Sequence, residues 1–283
     1  MRWPLPRGSR AVAPQMRTFA FALSWASALA AGDPEILWRE NPPYRELERC
    51  LQETEGAAGS ETVESAQLRA RLASRMLQRA WEEDLSYLTQ LNALRRFKNI
   101  QEELASKWPD EPGTLIARGE FHQYTPAIFG GDRARAREFF ARARAASTDS
   151  EILFAVLLWH LNAEAESRNP AEKTAGLRQA EEIIALLEKR LAERPADAKN
   201  LHFWRWLPYQ HGVLLFHRGR FAEAKKFFED HLMRFADSPW GWYFMWRLAD
   251  NNERTELQTR LMQLCQAVHH MAVADRLRSE INR

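Results

Sequence analysis

Histidines are the residues of this chain whose chemistry best suits catalysis or metal binding. His269 and His270 are adjacent, so in a helix their rings point to different sides and cannot easily share a metal ion. His202, His211 and His217 fall on one predicted helical stretch, but none of their spacings is the four residues that would place two ligands on one face. The histidine pattern therefore indicates no metal site.

No catalytic motif accompanies these histidines. The sequence contains no HExxH, no GxSxG and no phosphate-binding loop. Gly130-Gly131 at a helix start is a potential anion site, but the carboxylate of Asp132 occupies it with its own negative charge. Acid pairs such as Glu102-Glu103 are typical of solvated helix faces. We expect no catalytic residue, no metal ion and no cofactor, and we predict that the protein is not an enzyme.

The two cysteines are the remaining reactive side chains. Cys50 and Cys265 lie near opposite ends of the chain, and in an elongated array they would be too far apart for a disulfide. No CxxC motif or Cys/His cluster accompanies them. We expect two separate, partly buried thiols.

Composition and charge indicate a helical protein without a nucleic-acid partner. Hydrophobic residues make up 45% of the 283 and glycine is sparse at 12, while alanine, leucine, arginine and glutamate dominate, which favours helix over strand. The net charge of +2 comes from residues 1–30, which hold four arginines and no acid. The remainder carries 36 basic and 38 acidic residues, so nothing attracts it to nucleic acid or to an anionic membrane.

Residues 1–30 have the pattern of a cleavable signal peptide. Arg17 precedes an apolar run over 19–29, which is too short to span a bilayer comfortably. Small residues at 28–30 form an A-x-A cleavage site. We expect a periplasmic or secreted protein with no integral membrane span in the mature chain; an uncleaved anchor and an unstructured leader are the alternatives. The candidate starts are Met1 and Met16.

The mature chain, 31–283, is organised around a predicted helix, insert and helix at 115–146. Gly119 in the first helix would let a second helix approach closely. Asp132, after two glycines, is the predicted N-cap of the second helix, because its carboxylate can accept hydrogen bonds from free amides of the first turn. Three small or aromatic residues then recur at helical spacing on one face. They are Ala136, Phe140 and Ala143.

Similar stretches fill the rest of the mature chain. The segment 61–108 predicts one long helix or two, with a break near Asp84. Asn169-Pro170 predicts a helix start, and Glu172 completes a predicted capping box. Apolar stripes and turn signals place the other helices. Their predicted positions are 34–60, 150–167, a helix holding Trp204, Trp206, Tyr209 and Gly212, a helix from Phe221, a helix from Ser238-Pro239, and a closing polar-faced helix over 253–282.

Two of these units resemble the tetratricopeptide repeat, a pair of helices with a period of about 34 residues in which small residues mark the crossing. At 205–238 the pattern is Gly212, then Ala224 and Phe228. The unit at 112–147 is similar but longer between its two helices. The resemblance implies an all-α fold, a right-handed α-solenoid of antiparallel helix pairs in one domain over 31–283, closed by the capping helix at 253–282.

The insert of the first unit adds a second resemblance. Tyr124-x-Pro126 is followed by a hydrophobic pair and then by Gly130-Gly131-Asp132 before a helix rich in alanine and phenylalanine. This order resembles a subgroup of bacterial exported repeat proteins. The accessory repeat component of some periplasmic-substrate transporters is similar, as are eukaryotic regulators of microtubule dynamics. His231 departs from the repeat pattern, because it stands where a small residue is usual.

In the repeat family the first helix of each unit lines a concave groove, and the resemblance implies the same here. The groove would then present aromatic rings with polar tips beside a cation, which suits a binding surface; packing within the core is the alternative for each ring. The implied groove residues include Ile116, Glu120 and Val213, and the candidate binding residues are Gln123, Tyr124, Trp206, Tyr209, His217, Trp240, Tyr243 and Arg247.

Two functions fit this architecture. The first is an exported scaffold that holds a protein or peptide partner in its groove, for example a subunit of a transporter or envelope complex. The second is an accessory protein of an envelope transport system that binds a small molecule. An elongated molecule favours the first function, and a closed aromatic pocket favours the second.

Overall fold

The computed structural model describes residues 42–56, 62–193, 204 and 206–281. The described chain is all-helical and contains twelve α-helices. The predicted signal peptide and His202 lie outside these residues. The first six helices are α1 (Tyr44–Gly56), α2 (Val63–Glu82), α3 (Tyr87–Lys107), α4 (Pro112–Tyr124), α5 (Arg133–Ala146) and α6 (Ser150–Trp159). The others are α7 (Pro170–Glu193), α8 (Leu207–His217), α9 (Phe221–Arg234), α10 (Pro239–Leu248), α11 (Asn251–Ala267) and α12 (Met271–Ile281).

Helices that are neighbours in sequence pack as pairs, and even-numbered helices also meet one another. Contacts join α2 to α4, α4 to α6 and α10 to α12. The last helix, α12, also contacts α2 near the start of the described chain. The even-numbered helices therefore form an inner layer, and the odd-numbered helices pack outside it. Two hydrophobic clusters support this arrangement, one mainly between α1 and α4 and a larger one from α4 to α12.

Glycines allow the paired helices to cross closely, as the sequence predicts. A Cβ on Gly119 would lie 2.9 Å from the ring of Phe140. A Cβ on Gly212 would lie 3.0 Å from atoms of both Phe227 and Phe228. These distances are shorter than ordinary van der Waals contact, so larger side chains would separate the helices.

The insert between α4 and α5 is a short 3₁₀ turn, Ala127–Phe129, ended by Gly130 with φ of +97°. A Cβ on Gly131 would lie 1.7 Å from the carbonyl oxygen of Thr125, so this backbone approach requires glycine. The side chain of Asp132 accepts hydrogen bonds from the amides of residues 134 and 135 at 2.8 and 3.2 Å. The predicted N-cap of α5 is therefore confirmed.

Several other predicted boundaries match the described helices. The long segment 61–108 is two helices, and the chain reverses at Asp84, which has φ of +51°. The side chain of Asn169 caps α7 by accepting from the amide of Ala171 at 3.0 Å. Glu172 closes this cap indirectly rather than by the predicted direct bond: its carboxylate accepts from the Ser167 hydroxyl, whose oxygen accepts from the Asn169 amide.

Three predicted helices differ from the structure. The closing helix expected over 253–282 is two helices, α11 and α12, because the chain turns at His269 with φ of +52°. The segment 150–167 changes after α6 into a π-helical turn, His160–Glu164. Trp204 and Trp206 precede α8 instead of lying within it, since that helix begins at Leu207 with Pro208 in its first turn.

His231 occupies its expected small-residue position without opening the crossing. It is buried, and its Nε2 lies 3.1 Å from the hydroxyl of Ser238. The small residue is on the facing helix instead: a Cβ on Gly241 would lie 3.1 Å from the His231 ring. At the crossing of α9 and α10, the small residue is therefore supplied by α10 and not by α9.

Candidate functional site

One cavity of about 770 Å³ lies inside the ring of even-numbered helices. Its wall is built by α2, α4, α6, α8, α10 and α12, with a few residues from the turns that adjoin them. None of the described odd-numbered helices contributes to this wall. The cavity is therefore the inner face of the helix pairs, the surface that the repeat resemblance assigns to a groove.

Six of the eight candidate binding residues line this cavity. The other groove positions on α4 and α8, namely Ile116, Glu120 and Val213, line it too. The helical spacing of these positions places them on the faces of α4 and α8 that turn inward. The six candidates are Gln123, Tyr124, Trp206, Tyr209, His217 and Trp240.

Tyr243 and Arg247 are the two candidates that do not belong to the cavity wall. Tyr243 is fully buried; its hydroxyl donates to Glu280 and accepts from Arg276 at 2.9 Å. The guanidinium of Arg247 lies 4.6 Å from the centre of the Phe216 ring and 3.5 Å from Glu280. Both side chains fix α12 to α10 from behind, and Phe244 takes the wall position on α10.

Seven aromatic rings surround the cavity, and several are held by other rings. Trp206 stacks on Phe235, with ring centres 5.0 Å apart. Trp240 meets Tyr243 and His270 edge to face. These contacts hold the rings in fixed orientations, so the aromatic surface is in place before anything binds. The seven are Trp81, Tyr124, Phe154, Trp206, Tyr209, Trp240 and Phe244.

The polar wall on α2 was not among the predicted site residues. Its residues recur at steps of three and four, so they share one helical face. The sequence contains this signal, but charged residues at helical spacing read equally well as a solvated face. The α2 wall residues are Arg71, Ser74, Arg75, Gln78, Trp81 and Glu82.

Arginines and carboxylates pair around the cavity. Arg71 on α2 lies 2.8 Å from Glu151 on α6. Arg75 lies 3.7 Å from Glu82. Glu82 also pairs with the buried Arg79 at 2.9 Å. Burial alone would raise the pKa of Glu82, but the guanidinium groups of Arg75 and Arg79 hold it below its usual value.

Ion pairs also join α12 and the turn before it to the other inner elements. Arg276 lies 2.7 Å from Glu166, a contact between residues 110 positions apart. His270, in the turn before α12, has its Nε2 3.7 Å from Glu82 on α2. The guanidinium of Arg276 also lies 5.7 Å from the centre of the Trp240 ring. The last helix, α12, thus lines the same cavity as α2, which lies near the start of the described chain.

Burial shifts the protonation of the cavity histidines and of Tyr124. It lowers the pKa of His217 to about 4, and it lowers the pKa of His270 despite the nearby Glu82. Both imidazoles are therefore neutral near pH 7. Burial, reinforced by the carboxyl of Glu120, raises the pKa of the Tyr124 hydroxyl. These groups present hydrogen-bonding atoms to the cavity without adding charge.

Across the described ranges, no three His, Cys, Asp or Glu side chains are grouped so that they could hold a metal ion. No helix among those residues is long and apolar enough to cross a membrane. Cys50 and Cys265 are both buried. Comparisons with protein-family models, curated proteins and solved structures found no match to this chain.

Proposed function

We propose that the chain is a non-catalytic binding protein that holds a small organic ligand in its central cavity. The observation that carries this proposal is the contact between the two ends of the inner layer: α12 packs against α2, so the inner face curves around a cavity that stays partly open to solvent. A volume of about 770 Å³ falls within the roughly 300–1,000 Å³ typical of small-molecule sites.

The lining supports a ligand rather than a solvent-filled gap. Aromatic rings and aliphatic side chains supply apolar surface, and a few polar groups are placed among them, as is typical of small-molecule sites. The rings of Trp206 and Trp240 are held by stacking or edge contacts, so little conformational entropy would be lost when a ligand binds. Tyr209 and Val213 continue this surface along α8.

The wider proposal is an exported accessory protein of an envelope transport system, built as a right-handed solenoid similar to tetratricopeptide repeats. The pairing of neighbouring helices and the glycines at their crossings support the repeat architecture. The signal-peptide pattern at 1–30 supports export. Mass spectrometry of the protein purified from its native cells tests the cellular location. A mature start at Ala31 supports export, and an intact N-terminus in the cytoplasm contradicts it.

A cavity-filling variant tests the ligand proposal directly. Ala155 lies in the cavity wall on α6, so A155F would place a ring in the space of the ligand. Native mass spectrometry should find a bound compound in the natural protein and none in A155F. The matched control is A185F, on an exposed position of α7, which should retain the compound. A natural protein without any bound compound, when gently purified from its own cells, would contradict the proposal.

A protein partner is the second candidate, and exposed apolar side chains favour it. Ile128 in the insert is 85% exposed, and Leu88 at the start of α3 is 71% exposed. Pro126, two residues before Ile128, borders the cavity. A partner that docks on this insert could deliver or receive the ligand. The variant I128S should then weaken the capture of such a partner from the envelope fraction while leaving the bound compound unchanged.

A further inference from the structure

Glu120 is the cavity carboxyl that forms no ion pair within the described part of the chain. It lies on the inner face of α4, and the Ser74 hydroxyl on α2 lowers the pKa of its carboxyl. The positive charge of Arg71 lowers the pKa of Glu120, but that guanidinium pairs with Glu151 at 2.8 Å. Glu120 thus shares a cation that another carboxylate already neutralises.

The balance of charge around the cavity is therefore negative. Its described lining holds four carboxyls and three guanidinium groups. Each guanidinium has a carboxylate partner in the wall: Arg71 pairs with Glu151, Arg75 with Glu82 and Arg276 with Glu166. The buried Arg79 also contacts Glu82, but Glu83 supplies it with a second carboxylate. His217 and His270 add no positive charge near neutral pH, because burial lowers their pKa values. When Glu120 is ionised, one negative charge lacks a counter-charge.

An unneutralised carboxylate in this position is unfavourable for the empty protein. Burial raises the pKa of Glu120 above its usual value, although Ser74 and Arg71 oppose that shift. A positive charge placed beside Glu120 would favour its ionised form and remove the cost of leaving it unpaired. A cationic ligand therefore removes the cost of the unpaired Glu120 carboxylate, and a neutral ligand does not.

The aromatic lining also favours a positively charged ligand. Tyr124 lies one helical turn from Glu120 on the same face of α4, and Trp206 and Trp240 border the same cavity. The faces of such rings attract cations through their quadrupole, and tryptophan does so most strongly. The guanidinium of Arg276 already lies over the Trp240 ring, 5.7 Å from its centre.

An inorganic cation fits this lining poorly. Calcium and magnesium take about six or more oxygen ligands, and the described residues contain no cluster of three acidic, histidine or cysteine side chains suited to a metal. An anion would have to compete with carboxylates for guanidinium groups that are already paired. An organic cation needs only one carboxylate and an apolar wall.

We propose that the cavity binds an organic cation, a compound with an ammonium group that pairs with Glu120 and an apolar or aromatic body that packs against the rings of α4, α8 and α10. This inference rests on the proposed function, since it assigns a ligand class to the same cavity. It makes Glu120 the residue that distinguishes ligands by charge, and the aromatic residues those that distinguish them by shape.

Three probes with one indole skeleton test the charge preference: tryptamine, which is cationic, tryptophol, which is neutral, and indole-3-acetate, which is anionic. Isothermal titration at neutral pH with millimolar probe should show tryptamine binding about tenfold more tightly than tryptophol, and indole-3-acetate binding more weakly still. A155F should abolish binding of all three, which assigns the signal to the cavity. Tryptophol or indole-3-acetate binding as tightly as tryptamine would overturn the inference, as would no binding of any probe.

Glu120 variants test the residue assignment. E120Q should bring the affinity for tryptamine down to that for tryptophol and leave tryptophol binding unchanged, whereas E120D, which retains the charge, should recover part of the preference. The matched control is E138Q, on the exposed face of α5, which should behave like the natural protein. A tryptamine preference that persists in E120Q would overturn the role of Glu120.

The outcome for the ligand class is separate from the outcome for the cavity. A neutral or anionic compound released from the natural protein by denaturation would overturn the cation inference and support the proposed function. The absence of any native compound, together with tryptamine binding that A155F abolishes, would support the cation preference of the cavity and contradict the native ligand proposal.

Discussion

His217 illustrates how single residues adapt to the cavity. It lies at the end of α8, partly buried, and its imidazole faces Glu166, Lys173, Arg247 and Arg276. Burial is the largest cause of its low pKa, and the three cations add to it against the one carboxylate. A neutral imidazole can both donate and accept a hydrogen bond, which suits a position beside a polar part of a ligand.

The low pKa of His217 predicts an acid sensitivity of folding. Between pH 6.5 and about 4 the unfolded chain binds a proton at this residue and the native chain does not, so the free energy of unfolding falls as the pH is lowered through this window. We expect His217 to contribute about 1–3 kcal/mol to this fall. Urea denaturation at several pH values measures it, and H217Q should show a shallower dependence. Equal slopes in the two proteins would contradict the assignment.

At the residue scale, six of the eight candidate residues line the cavity and two do not. The inward positions on α4 and α8 were expected from the repeat resemblance, and their helical spacing is consistent with one face of each helix. Tyr243 and Arg247 were expected to face the groove, but they bind Glu280 on α12 instead. Their contacts span more than thirty positions in sequence, and no local pattern encodes which of two helical faces meets a distant acid.

At the scale of elements, helix starts with a capping side chain were predictable, and the break between α11 and α12 was not. Asp132 and Asn169 cap helices where the sequence indicates. The break between α11 and α12 falls at His269, which adopts the left-handed region that glycine or asparagine usually occupies. The apolar stripes of the two helices continue one period across it, so the sequence reads as one helix.

The crossing of α8 and α9 gives a prediction at this scale. G212L should destabilise the protein by about 1–3 kcal/mol, because even a Cβ at that position would lie 3.0 Å from Phe227 and Phe228. Thermal unfolding followed by circular dichroism measures the loss. Q263L places the same side chain on an exposed position of α11 and should leave the melting temperature nearly unchanged. An unshifted melting temperature in G212L would mean that these helices do not need their close approach.

At the scale of the whole molecule, the decisive feature is that the two ends of the inner layer meet. The sequence predicts helix pairs with a common inner face, and the twelve described helices pack in neighbouring pairs. It does not predict that α12 reaches α2, because the curvature of the array is the sum of many small rotations between adjacent pairs. The meeting of the two ends curves the inner face around a cavity where an open groove was expected. This is why we propose a small ligand rather than a large partner.

Removing α12 should therefore open the molecule. Truncation of residues 271–283 deletes the buried side chains Val273 and Leu277, each contributing about 1.5–3 kcal/mol of burial, and removes the Arg276–Glu166 pair. We expect a larger radius of gyration in X-ray scattering and faster hydrogen exchange in α2, with the outer contacts of α4 and α5 unaffected. R276A is the matched control, because it breaks the ion pair but leaves the apolar contacts of α12 in place, and it should remain closed. If the truncated chain kept its radius and its α2 protection, α12 would not be the element that closes the cavity, and the preference for a small ligand would lose its structural basis.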